Sequence, residues 1–421
     1  MMSLERGCFF IYDKSIHSYN VSGFKKTRSD IMKNSKSAPK KSVHEPALLR
    51  NHKLFNILVI NPGSTSTKIA LFQNNYCLKT LTVSHDPEDL KQFSDVTLDQ
   101  LEYRKKAILE TLEKEEIDIH TLDAVVGRGG YMKPVESGTY LIDDRMVEDL
   151  KHPWSEHASN LGGIIAKEIA DSVGIPAYTV DPVCVDEMVP VAKITGVKGF
   201  SRHAKWHPLN QKAVIRRLAR DLDVDVTDIN VIVVHMGGGI SIGAHRANKC
   251  IDVNNCIDGQ GAFSPNRAGT MNFGDVIDMC FSGKYTKSEV IKHCIGQGGL
   301  VSYFGTDDVR VIEEKATTDQ FAALVLEAMA YQISKSIGEN AIALKGQVDA
   351  IILTGGLARS KFLVEKIEEY AGFLAPVYLY PGEYEMVALA KGAYRALSGQ
   401  EAAKTYDPAP FPAPDDFAAQ F

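Results

Sequence analysis

The chain lacks any CxxC pair, and its seven cysteines (Cys8, Cys77, Cys184, Cys250, Cys256, Cys280 and Cys294) are odd in number and scattered. That excludes a disulfide framework and a cysteine-rich zinc site, and leaves reduced structural thiols. No apolar run reaches the ~18–20 residues needed to cross a bilayer, so no membrane partner is expected and a cytoplasmic location is. A Walker A loop is missing too: the single Gly-Lys pair, Gly283-Lys284, is followed by Tyr285. Nor is there a GxGxxG fingerprint, because Ile242 stands where the third glycine would follow Gly237 and Gly239. Positive charge is scarce outside the N-terminus. Residues 1–53 hold eleven Lys/Arg against four Asp/Glu, and the remainder holds thirty-six against forty-nine, leaving −13. An acidic body speaks against nucleic acid as a partner.

What is there suits two domains, since 421 residues exceed one ordinary core. The basic start, densest around Lys33–Lys41, contains Asp13, Asp30 and Glu45 and reads as a disordered extension rather than a transit peptide. Regular structure is predicted from Phe55: a buried strand FNILVI, a turn at Asn61-Pro62-Gly63, a strand TKIALF, a turn at Asn74-Asn75 and a strand YCLKTLTV. Val231–Val253 repeats that order, strand, glycine-rich loop, strand, turn, strand, so the chain reads as duplicated. Helices are predicted at about 99–116, 156–173, 209–221, near 275 and 288, at about 318–345, 358–370 and 385–397. Strands are predicted at AVVG, IPAYTV, AIILTGG and APVYLY. Alternating strands and helices mean an α/β protein.

Three loops carry chemistry. Asn61–Lys68, NPGSTSTK, sets an amide and several hydroxyls in a turn after a strand, where they can reach phosphate oxygens or a Mg²⁺ ion. HMGGGIS (His235–Ser241) lines up three glycines that let backbone approach a phosphate closely. LTGGLARS (Leu353–Ser360) does the same ahead of a helix. An ordinary tight turn explains any one of them; three in one chain favour a nucleotide.

INPGSTSTK, GRGG, EHASNLGG, DPVCVDEM, HPLNQKAV, HMGGGISIG, DGQGAFSPNRAGT and GTDDVR, in this order, resemble the butyrate kinases of the acetate kinase group, within the actin-like, sugar-kinase superfamily. The match spans about residues 55–398. The resemblance implies two duplicated ribonuclease-H-like lobes, residues 54–181 plus 385–400 and residues 182–384, around a central nucleotide cleft. Residues 401–421 form an irregular tail. It implies ATP and a short-chain fatty acid as substrates, Mg²⁺ as cofactor and a homodimer or higher homo-oligomer. Asn61, Ser64 and Ser66 then belong to the phosphate and Mg²⁺ region. Arg128 and Arg267 hold carboxylate and transferring phosphoryl oxygens, Asp181 is the metal-associated aspartate, and His207 stands near the phosphoryl group. Gly237, Gly239, Asp308, Arg310, Gly355 and Gly356 fall where nucleotide binds. A metal-side glutamate fits Glu383 or Glu385, with Glu385 preferred. Trp206 and Pro208 depart from the Phe and Ala usual beside this histidine.

The chemistry agrees with that implication. A carboxylate nucleophile is ionised at neutral pH, so it needs alignment and charge cancellation rather than a base, and arginine supplies both. Gly129 and Gly130, lacking side chains next to Arg128, are expected to leave room for a butyrate-sized alkyl chain.

Overall fold

The computed structural model describes residues 53–93 and 97–408. The expectations for residues 1–52 and 409–421 lie outside those residues. Eleven strands run in chain order: β1 Asn56–Pro62, β2 Ser66–Gln73, β3 Tyr76–Ser84, β4 Ala124–Gly127, β5 Thr139–Leu141, β6 Ala177–Val180, β7 Asn230–Met236, β8 Ile240–Arg246, β9 Lys249–Val253, β10 Ala350–Gly355 and β11 Val377–Pro381. The helices of eight residues or more are α1 Leu101–Lys114, α2 Asp144–Lys151, α3 Asn160–Val173, α4 Pro208–Leu222, α5 Phe273–Phe281, α6 Lys287–Cys294, α7 Val309–Ala316, α8 Gln320–Ala343, α9 Lys361–Ala371 and α10 Glu385–Leu397.

The strands form two sheets, ordered β3-β2-β1-β4-β6-β5 and β9-β8-β7-β10-β11. Each opens with an antiparallel three-strand meander whose first strand then pairs in parallel with a later one, β1 with β4 and β7 with β10. The expected α/β fold with its internal duplication is therefore present.

Both central strands read as continuous apolar runs because helices cover both sheet faces. In β1 the period of two sends Leu58 and Ile60 to a core with Ile108 of α1 and Leu161, Ile165 and Ile169 of α3. Ile57 and Val59 face a second core with Leu389 and Ala393 of α10. In the second sheet, Ile232 and Val234 pack on Ala330, Ile333 and Ile337 of α8, while Val231 and Val233 pack on Val214, Ile215 and Leu218 of α4. Each such fully buried aliphatic side chain contributes roughly 1.5–3 kcal/mol. The last long helix thus returns to the first sheet, where it lies against α4.

Pro208 occupies the first turn of α4, where proline's missing N–H has no intrahelical partner to lose. Three elements were not predicted. β5 has only three residues, α2 is the strongly polar DRMVEDLK, and α7 is a short helix whose N-cap is Asp308. Helix α9 begins at Lys361, not Ala358, because Ser360 caps it by accepting from the Leu363 N–H; residues Gly356–Arg359 form a 3₁₀ turn.

Candidate active site

Parallel strands in both sheets end toward their loops, and an open α/β sheet binds ligands at such carboxyl ends. Asn61 lies at the end of β1, Arg128 follows β4, Asp181 follows β6, His235 lies near the end of β7, Gly355 ends β10, and Glu383 and Glu385 follow β11.

Asn61, Arg128 and Glu385 form one cluster. The Glu385 carboxylate oxygen Oε2 accepts from Asn61 Nδ2 at 2.9 Å and from an Arg128 guanidinium nitrogen at 2.9 Å; the same nitrogen is 3.3 Å from Asn61 Oδ1. Glu383 is the outer of the two glutamates. Burial raises its carboxyl, with the charge of Glu385 adding to that and Lys68 and Arg128 opposing it.

Arg267 reaches the cluster's surroundings from the long loop. Its guanidinium donates to the Cys256 carbonyl at 2.7 Å. It also covers Gly239: a Cβ there would stand 2.0 Å from its terminal nitrogen, so only glycine leaves the arginine in place. His207 stacks on His235 with ring centres 3.8 Å apart and planes 12° from parallel. Burial holds His207 well below 6.5, assisted by His235, Arg267 and Arg128. Burial likewise holds His235 down to about 4; His157, whose ring is shielded although the residue as a whole is exposed, is lowered in the same direction, with both arginines adding to each effect and Glu385 opposing it. At neutral pH these three rings are uncharged beside two fixed positive charges. Tyr131, pushed up to about 12 by burial, closes the same neighbourhood and packs edge-on against Trp154 and His157.

The Ser64 and Ser66 hydroxyls make no hydrogen bond among the described residues, while their loop is clamped from beneath. The buried Arg104 donates to the Gly63 carbonyl at 2.8 Å and the Ser64 carbonyl at 2.7 Å, and the Gly63 N–H donates to the Ser66 carbonyl at 2.7 Å. Gly355, at φ +86°, lies so close to the Met236 carbonyl that a Cβ would come within 2.3 Å of it. Gly356 has open space, and Gly237 has the edge of His235 and the Gly239 carbonyl near it.

Three expected residues are not joined to the cluster. Asp181 is fully buried; burial disfavours its charge, but Arg216, Lys212 and hydrogen bonds hold it ionised and below its ordinary range. Its two oxygens accept from the Gly138 N–H at 2.8 Å and from Arg216 at 3.0 Å, and no hydrogen bond links it to Asn61, Arg128 or Glu385. Asp308 and Arg310 grip each other in a two-point pair, with Asp308 also capping α7.

The room expected from Gly129 and Gly130 is absent. A Cβ on Gly129 would meet Pro182 at 2.5 Å, and one on Gly130 would meet the Asn160 backbone at 2.4 Å. These glycines let the β4 loop press against α3 and the β6 loop, so their missing side chains are replaced by protein, not by cavity.

Sequence reasoning missed Arg104, His157 and His235. Arg104 stands on the face of α1 that also carries Ile108 and Leu112, and a charged residue on an apolar stripe signals a bound partner. His157 was inside EHASNLGG, two residues before a serine whose N–H it accepts at 3.1 Å.

Residues 191–372 match the model of the acetokinase family. That stretch contains His207, the HMGGGIS loop, Arg267, Asp308 and the LTGG turn, while Asn61, Arg128, Asp181 and Glu385 fall outside it. Solved structures similar to this chain include the acetate kinase of Porphyromonas gingivalis, 18% identical, with a TM-score of 0.65 over 80% of this chain and 99% of that one. A propionate kinase from Francisella tularensis subsp. tularensis SCHU S4 is 18% identical, with a TM-score of 0.62 over 80% and 98%. The acetate kinase from Entamoeba histolytica is 18% identical, with a TM-score of 0.65 over 80% and 98%. At such identity the likeness is one of fold. Among the described residues no helix is long and apolar enough to cross a membrane.

Proposed function

We propose that this protein transfers the γ-phosphoryl group of ATP reversibly to a short-chain carboxylate, with butyrate as the acid. The observation that carries the reading is the convergence of Arg128, Arg267 and three uncharged histidines around the strand ends of both sheets. In-line transfer between two anions demands fixed positive charge and little else, because the nucleophile is already ionised. Arg128 and Arg267 would hold the carboxylate and the transferring phosphoryl oxygens, the neutral histidines would donate N–H groups to the same oxygens, and the glycine loops would admit the phosphates to the backbone. Ser64 and Ser66 add two unpaired hydroxyls.

A Mg²⁺ ion fits the donor set at Asn61 and Glu385. Among the described residues there is no cluster of three or more His, Cys, Asp or Glu side chains, and one carboxylate beside one amide suits an ion held mainly by phosphates and water. Asn61 and Glu385 would hold it, and it would supply positive charge against the phosphates. A homo-oligomer remains part of the proposal on the resemblance alone.

Butyrate rests on the ordered motifs and no longer on Gly129 and Gly130; acetate, propionate and isobutyrate are the alternatives, and the acetokinase match favours the class without choosing among them. The test measures ADP release and hydroxamate-trapped acyl phosphate across acetate, propionate, butyrate, isobutyrate and hexanoate. Two buried methylenes at ~0.8 kcal/mol each give butyrate about a 15-fold advantage over acetate in kcat/KM. Acetate as the best substrate would make the protein an acetate kinase, and turnover in excess chelator or without nucleotide would overturn the kinase reading.

A further inference from the structure

Behind His207 lies a buried polar chain whose proton directions can be worked out from its partners. Gln211 Nε2 is 3.1 Å from the Ser241 carbonyl oxygen. A carbonyl only accepts, so this atom is the amide nitrogen, and the orientation of the Gln211 side chain follows. The same nitrogen donates to Ser241 Oγ at 3.0 Å, and Gln211 Oε1 accepts from His245 Nε2 at 2.8 Å. Ser241 is wholly buried, and the remaining partner of its hydroxyl is His207 Nδ1 at 2.8 Å. If His207 carried its proton on Nδ1, the serine O–H would have no acceptor among the described residues, and a buried donor left unmade is costly. With the serine proton given to Nδ1, a neutral imidazole holds its own proton on Nε2.

We infer that Ser241, Gln211 and His245 form a positioning relay that locks His207 as the Nε2–H tautomer, presenting an N–H donor rather than a lone pair to an anion in the cleft. What that donor binds rests on the phosphoryl-transfer reading; the tautomer does not. His207 Nε2 makes no hydrogen bond among the described residues, and the stacked His235 ring holds the plane of the imidazole. A lone pair at Nε2 would repel phosphoryl oxygens where the N–H attracts them. Burial, with His235, Arg267 and Arg128 adding to it, keeps His207 uncharged, so the ring can donate one proton without carrying a positive charge.

The experiment reads ring ¹⁵N shifts of histidine-labelled full-length protein at neutral pH without nucleotide, with the His207 signals assigned by their loss in His207→Gln. The expected spectrum has Nδ1 in the unprotonated position and Nε2 in the protonated one. In Ser241→Ala the two shifts should converge as the tautomers mix, and Gln211→Met should do the same should the first variant fold poorly. In either variant kcat should fall about 10- to 100-fold, as it does when a group orienting another is removed, with KM for ATP held within about 3-fold. Ser241→Thr, which keeps the hydroxyl, should restore the wild-type shifts. A His207 proton on Nδ1 in the parent protein, or an unchanged tautomer in both variants, would overturn the relay. Mixed tautomers with unchanged kcat would support the relay and sink instead the placement of the phosphoryl group at His207.

Discussion

The two meanders share a topology and solve the same problem in opposite ways. After β1 the turn is rich in side chains, and its backbone is held by Arg104 reaching up from α1 to two of its carbonyls. After β7 the turn is three glycines, and the side chain comes to it: Arg267 occupies the space above Gly239, and Ser264 donates to the Gly238 carbonyl. The first loop therefore offers an amide and hydroxyls, while the second offers bare backbone beneath an imported guanidinium. A duplicated strand pattern fixes where each loop lies; the chemistry around it depends on which elements lean over each copy.

The largest effect should come from the guanidiniums beside the stacked histidines. Arg128→Ala and Arg267→Ala should each lose roughly 10³-fold or more in kcat while the fold survives. A loss under about 10-fold with a normal circular dichroism spectrum would show that the clamp lies elsewhere. Next comes a paired substitution aimed at the contrast itself. Gly239→Ala pushes Arg267 aside and should lower kcat by about 10²-fold, the scale of an ångström misplacement. Gly63→Ala meets only the Ser66 carbonyl at 3.3 Å and should change kcat by less than about 3-fold. Equal losses would erase the distinction between the loops.

Arg104→Met keeps the apolar stem of α1 but strands the Gly63 and Ser64 carbonyls. A cost of about 3 kcal/mol is expected, read as a fall of about 4 °C in Tm, together with a higher KM for ATP. An unchanged KM would mean that the first loop is not held for nucleotide. The smallest effect is a pH dependence shared by both halves. Burial holds His85, with the help of Arg104, as well as His157 and His235, down to about 4 against an ordinary 6.5. The unfolded chain takes up these protons first, so stability is intact above pH 6.5 and declines as pH falls toward 4. His85→Gln should flatten part of that decline in Tm, and an unaltered profile would mean that His85 is not titrating across this range.

Much of this was readable in the sequence because it depends on local pattern. Short continuous apolar runs ended by Asn-Pro-Gly and Gly-Gly-Gly located β1, β2, β7, β8 and the loops between them, and period-3.6 patterns located α1, α3, α4, α8 and α10. The ordered motifs named Asn61 and Arg128, and the resemblance offered Glu385 as the preferred one of two glutamates; the three lie together although up to 324 positions apart. β5 escaped because three residues leave little periodic signal; α2 and α7 are amphipathic, burying Met146 and Leu150 or Val309 and Ile312, but two turns between loops are too short to stand out.

The tertiary structure alone decided what each of those residues touches. Gly129 and Gly130 looked like vacant space, but a missing side chain creates a cavity only when nothing packs against the backbone, and Pro182 and Asn160 do. Asp181 looked available for a metal, yet Arg216, thirty-five residues on, takes one of its oxygens. Arg104 sits on the apolar stripe of α1, which signals a partner, but only the packing of α1 beside the Asn61 turn makes the Gly63 and Ser64 carbonyls that partner. Such outcomes depend on contacts between segments distant in the chain, and local sequence encodes the faces that meet but not the atoms that end within hydrogen-bond reach.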